Sequence, residues 1–141
     1  MIIVPFEPEH IRTLILQDAQ NWMMPMLKLE YGAAMKIAGP CFTAMEGDEI
    51  LACSGVAHAW ENRDMAWALI SNSSGPHFIK IFRAIKRFLD INPARRVEAT
   101  VDVHFSEGHR LMQMLGFEYE GYLRAYLPDG RDQALYARVR P

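Results

Sequence analysis

Residues 72–89, NSSGPHFIKIFRAIKRFL, run from small polar side chains into an amphipathic helix. Gly75 lets a backbone approach a ligand closely, and Pro76 suits a first helical turn. Ser74 or Gly75 can cap that turn. Unpaired N–H groups at such a start attract anions, so a phosphate could rest over Ser73, Ser74, Gly75, His77 and Phe78. An ordinary capped turn has the same composition. Proton-transfer candidates lie further along. Glu98 and Asp102 share the polar face of the alternating run RRVEATVDV, and His58 stands near the end of the run ILACSGVAHAW. Each also has a structural use: Glu98 as a surface charge, Asp102 in a turn or cap, His58 at an edge. Tyr122 and Tyr126 could donate a proton or pack as rings. His104 and His109, five apart with no converging ligand set, do not make a zinc site. Cys41 and Cys53 fit no metal or redox spacing and read as buried thiols.

These residues need elements to hold them. Met1 to Phe6 reads as a first strand. Glu7-Pro8-Glu9 starts a helix, with Ile11, Leu14, Ile15 and Ala19 at helical spacing. Pro25 breaks it within NWMMPML, and a second helix runs to about Ile37 before Gly39-Pro40. The methionines there either fill the core beneath a kinked helix or line a groove. CFTAMEGDEILACSGVAHAW reads as a hairpin turning at Glu46-Gly47-Asp48. ENRD is a second turn, followed by the strand MAWALIS. In the central helix Phe78, Phe82, Ile85 and Leu89 form the apolar stripe, widened by Ile81 and Phe88, while Lys80, Arg83 and Arg87 share a solvated one. Asn92-Pro93 ends it. SEGHRLMQML is a short helix stopped by Gly116. FEYEGYLRAYL and QALYARV are strands joined through Pro128-Asp129-Gly130. The order β-α-α-β-β-β-α-β-α-β-β gives an α/β fold with a mixed sheet and helices on both faces.

The chain of 141 residues, half of them apolar, suits one domain with a real core. A net charge of −2 gives no general pull toward nucleic acid. The N-terminus lacks signal-peptide character and no stretch approaches a membrane span, so the expected setting is cytoplasmic, without membrane partners.

The order of elements and the stretch LMQMLGFEYEGYLRAYLPDGRDQALYARVRP, residues 111–141, resemble the GCN5-related N-acetyltransferase (GNAT) superfamily. The matching positions are Leu115-Gly116-Phe117, Glu120-Gly121, Leu123-Arg124 and Asp132. The hairpin at 41–60 also resembles that superfamily's second and third strands. The resemblance implies acetyl-CoA, as co-substrate, in a V-shaped split between the fourth and fifth strands, here Asp64–Ser71 and Arg95–Val103. Its pantetheine arm would follow Trp67, Leu69 and Ser71, and its pyrophosphate would lie on the loop from Asn72 to Ile79. Trp22 to Lys28 and Tyr122 to Tyr126 would wall the site of a primary amine on a small molecule or protein. Asp102 and Glu98 are then the candidate bases and Tyr126 the candidate acid, with Leu69, Ser71, Asn72, Ser73, Ser74, Gly75, His77 and Phe78 toward the cofactor. Three departures bear on catalysis more than on binding: the loop has one glycine and no leading Arg, Met112 stands where a Tyr acid is common, and Phe105 stands where an Asn is common. The alternative is a non-catalytic GNAT-like protein of phage or prophage type, partnered by virion proteins. A homodimer is a further expected partnership.

Overall fold

The computed structural model describes residues 1–141. Seven strands form one sheet: β1 Ile2–Pro5, β2 Cys41–Glu46, β3 Glu49–Trp60, β4 Arg63–Ile70, β5 Arg96–Asp102, β6 Glu118–Leu123 and β7 Gln133–Val139. Their spatial order is β1-β2-β3-β4-β5-β7-β6, and β4 with β5 is the parallel pair in an otherwise antiparallel sheet. The helices are α1 Leu29–Ala38, α2 Phe78–Ile91 and α3 Ser106–Met114. The expected mixed sheet and order of elements are therefore present.

Turn chemistry explains the hairpins. Gly47 turns β2 into β3 at φ 59°, a left-handed conformation that an L side chain strains. Gly116, at φ 86°, closes α3 as expected of a residue just past a helix end.

Two apolar clusters cover the two faces of the sheet. One joins Ile81, Ile85 and Leu89 of α2 to Leu51, Val56, Val97 and Val101, with Leu111 and Met112 of α3 packed against it. The other joins Phe6, Ile11, Leu14 and Leu16 to Cys53 and Leu69. Within α2 the buried stripe is centred on Ile81, Ile85 and Leu89, whereas Phe78 is exposed. The helix is thus turned toward Ile81, away from the stripe that Phe78 would begin.

The N-terminal region departs most from the sequence reading. Instead of one helix across Ile11 to Ala19, two 3-10 stretches occupy Pro8–Thr13 and Asp18–Met26. Between them the chain is extended. Leu16 bridges Ser71, with the Gln17 N–H on the Ile70 carbonyl at 2.9 Å and the Asn72 N–H on the Ile15 carbonyl at 2.8 Å. Leu14 and Leu16 are buried and Ile15 is exposed, the period-two pattern of a strand.

Candidate active-site cleft

Strands β4 and β5 are paired over three positions, Arg63 with Arg96, Asp64 with Val97 and Met65 with Glu98. Beyond Met65 they diverge. The gap opens into a cleft of about 470 Å³, lined by Ala66 to Ile70 on one side and Ala99 to Asp102 on the other. Trp22, Met23, Tyr31 and Met35 wall it from the N-terminal side, and Tyr126 reaches it from the turn after β6. A second recess of about 340 Å³ lies against α1 and shares Tyr31, Met35, Met65, Ala66 and Trp67 with the first. Met23 thus lines the cleft, whereas Met24 and Met26 are exposed, and no residue of their 3-10 stretch is fully buried. Trp22 and Met23 line the cleft, and Met23 also packs against the cluster of Phe6 and Ile11, so both uses open to NWMMPML are present.

No protein-family model matches the chain, and no curated protein matches it. Solved structures do. An N-acetyltransferase from Staphylococcus aureus Mu50 superposes with a TM-score of 0.74 at 17% identity, covering 98% of this chain and 97% of that one. Aminoglycoside 6'-acetyltransferase type Ii gives 0.75 at 14% identity over 100% of both chains. An acetyltransferase of the GNAT family from Streptococcus pneumoniae gives 0.68 at 14% identity over 99% of each.

The chain has the GNAT fold.

Within that fold, the backbone groups that face the split are not those of Leu69 and Ser71. The Ser71 N–H donates to the Leu51 carbonyl at 2.9 Å, on the β3 side, and by strand alternation Leu69 turns the same way. The groups on that edge belong to Ala68 and Ile70, and the Ile70 carbonyl already accepts the Gln17 N–H at 2.9 Å. Both residues are engaged by one side chain: Gln20 Nε2 donates to the Ala68 carbonyl at 2.5 Å, and the Ile70 N–H donates to Gln20 Oε1 at 3.0 Å. Gln17 Nε2 donates to the same oxygen at 3.2 Å. Leu69 itself is buried, and its side chain packs in the cluster with Phe6 and Ile11.

The loop before α2 has few free donors. The N–H of Asn72 reaches Ile15, that of Ser73 reaches the Ser71 hydroxyl at 3.1 Å, and that of Ser74 reaches the Ser71 carbonyl at 3.2 Å. The His77 N–H bonds the Ser74 carbonyl at 2.9 Å, and Pro76 has no N–H. Gly75 retains its N–H, in open space on the side where a Cβ would stand. Pro76 sits in the first turn as its φ favours, in a 3-10 turn over Gly75–His77, but Ser74 makes no side-chain cap. Carboxylates stand near: the Ser73 hydroxyl donates to Glu49, and His77 Nδ1 lies 4.0 Å from Glu46. Phe78 begins α2 with its ring exposed and stacked on Phe82.

The candidate proton carriers divide. Glu98 is buried, lies outside the cleft lining, and is held by the guanidiniums of Arg63 and Arg96. Arg96 continues to Glu120 at 2.5 Å. The hydrogen bond from Arg63 holds the Glu98 carboxyl below its usual range, which makes it a weak base. It is a clasp at the paired end of β4 and β5 and not a surface charge. Asp102 does line the cleft, but one oxygen caps the turn at the His104 N–H (2.9 Å) and the other meets Arg131 at 3.3 Å. That is the turn role its position allowed. His58 is exposed at the paired end, 2.6 Å from the buried carboxylate of Asp64, which also accepts from Asn92 at 3.0 Å. It does not line the cleft.

Tyr126 lines the cleft and is half exposed. It lies beyond β6, on a turn held by Asp132, which accepts from the Tyr122 hydroxyl and from the N–H of Ala125 at 2.6 Å. Ala125 adopts φ 49°, so Asp132 stabilises the strained conformation that aims this turn at the cleft. Tyr122 is thereby a support, outside the cleft lining. His109 is satisfied between the Tyr136 hydroxyl at 2.7 Å and the Val103 carbonyl at 3.1 Å, and no cluster of potential metal ligands forms. Cys53 is buried beside Thr43, and burial pushes its thiol up to about 12. Sequence reasoning missed Gln20 and Tyr31. Both face the cleft from irregular or helical segments whose register became clear from the tertiary contacts.

Proposed function

We propose that this chain is an acetyl-CoA-dependent N-acetyltransferase acting on a primary amine of a small molecule or peptide. One observation carries the reading: β4 and β5 part after Met65 and Glu98, leaving a strand edge open to a cleft. An extended arm bearing amides adds to such an edge as an extra strand. Ala68 and Ile70 fit that arm through the groups that Gln20 now engages. The Gly75 N–H, with the start of α2 and the neighbouring Ser73, Ser74 and His77, would take the pyrophosphate. The thioester would supply the acetyl group.

The chain's own part is positioning and proton handling. Holding two reactants in register can contribute on the order of 7–11 kcal/mol to lowering the barrier. By strand alternation the Ala68 N–H faces the cleft, where it can stabilise a developing oxyanion. Tyr126 is the residue we assign to protonate the departing thiolate, in place of the Tyr that Met112 replaces.

A non-catalytic binding protein of the same fold is the second reading. It is favoured by the saturated N–H groups of Asn72, Ser73, Ser74 and His77 and by Glu46 and Glu49 beside the loop, where an anion is repelled. Release of free CoA thiol from acetyl-CoA separates the two. Amine-dependent release above the solvent rate supports the transferase. Cofactor binding with no release across a panel of primary amines supports the second reading.

A further inference from the structure

We infer that the acceptor is a primary amine carried on an apolar, flat body, an arylalkylamine in chemical class, and not a polycation. This rests on the transferase reading and narrows it. The acceptor end of the cleft is walled by Trp22, Met23, Tyr31, Met35, Met65 and Trp67, and the adjoining recess has no charged residue at all. Methionine side chains adapt to aromatic partners and make favourable sulfur–ring contacts. Among the residues that line the cleft the one carboxylate is Asp102, which meets Arg131, a guanidinium it shares with Asp129, and is engaged in its turn. A polyamine entering here would lose hydration at several ammonium groups and find at most one carboxylate, Asp102, to answer them. An arylalkylamine has one such group and gains burial of its ring.

The same walls bear on the proton problem. Acetyl transfer forms a bond from the amine nitrogen to the acyl carbon and breaks the bond from that carbon to sulfur. One proton leaves the nitrogen and one reaches the sulfur. The nitrogen must be neutral to attack, and Glu98 and Asp102 are both tied to arginines. An apolar pocket lowers the pKa of an ammonium by desolvation. The lining therefore favours the attacking form with no dedicated side-chain base: the ammonium's extra proton leaves to solvent as the amine enters, and the proton released on amide formation is a second one, matched by the one that reaches the sulfur.

The test compares phenethylamine with spermidine by titration calorimetry on the full chain with CoA present. Phenethylamine is expected to bind at least about tenfold more tightly. Met65→Glu, at a partly exposed wall position, should narrow or reverse that ratio, while Met65→Gln should keep it, which separates charge from shape. Spermidine binding as tightly as phenethylamine, or neither amine binding, overturns the inference. Thermal stabilisation by acetyl-CoA, measured on the same samples, reports the transferase reading separately. If it is present without the amine preference, only this inference falls; if it is absent while the preference stands, the transferase reading falls.

Discussion

Gln20 and Ile70 meet across the exposed edge of β4. The Ile70 N–H donates to the Gln20 side-chain oxygen at 3.0 Å while the Gln20 amide donates to the Ala68 carbonyl two residues back. A carboxamide bonded this way stands in for the N–H and the carbonyl that one residue of an added strand would turn toward this edge. An amide-bearing ligand in the cleft must therefore displace Gln20.

Gln20→Ala should weaken the unliganded protein by about 1 kcal/mol, the net worth of such hydrogen bonds. It should enlarge the rise in melting temperature caused by acetyl-CoA, because no side chain then competes for the edge. A smaller rise than in the wild type would show that Gln20 assists binding.

Gly75 has open space where a Cβ would stand, and its φ is not left-handed, so Gly75→Ala should leave the fold and melting temperature near those of the wild type. Gly75→Asp should fold equally well and lose the acetyl-CoA response, since it sets a negative charge at the unpaired N–H. Differential scanning fluorimetry with and without cofactor checks both.

Glu98→Gln should cost about 1–3 kcal/mol of stability, because Arg63 and Arg96 lose a charged partner at the closed end of the split. Its kcat should stay within a few-fold of wild type. A loss of several orders of magnitude in kcat, at unchanged stability, would restore Glu98 as a base.

Acid should destabilise the fold in a defined window. Hydrogen bonds from Arg63 to Glu98, from Arg96 to Glu120, and from Lys86 and Arg138 to Asp90 hold these carboxyls below their ordinary values. As pH falls through about 4, the unfolded chain takes up protons that the folded chain refuses, so stability drops. It is fully present above that range and lost as each folded carboxyl titrates. Urea midpoints between pH 7 and 3 should show this fall, and Glu98→Gln should make it shallower.

Tyr126→Phe should lower kcat by about 100-fold or more while KM for the amine changes little, the loss expected of a general acid. Steady-state kinetics checks this. An unchanged kcat would leave the thiolate departing unaided.

Much of the frame was legible because it is local. The Glu46-Gly47-Asp48 turn, the strand Arg63–Ile70, the loop into α2 and the alternation of Arg96–Asp102 each have a short-range signal. Leu14 to Leu16 was misread because apolar residues at Ile11, Leu14 and Ile15 fit helical spacing, whereas the bonding partner that makes the segment extended is Ser71, far along the chain. The Leu14–Leu16 alternation was the signal available. Glu98 looks like an exposed polar-face residue until the pairing of Arg63 with Arg96 brings both guanidiniums to its carboxylate. Gln20 carries no motif, since any exposed glutamine on a polar segment looks alike until a strand edge lies beside it.

The most direct test of the cleft is the melting temperature of the full chain with about 1 mM acetyl-CoA, since a ligand that binds only the folded state stabilises it. A cofactor seated on the β4 edge and the Gly75 N–H gives a clear rise in the wild type, a larger one in Gln20→Ala and none in Gly75→Asp. No rise in either the wild type or Gln20→Ala would contradict that seating.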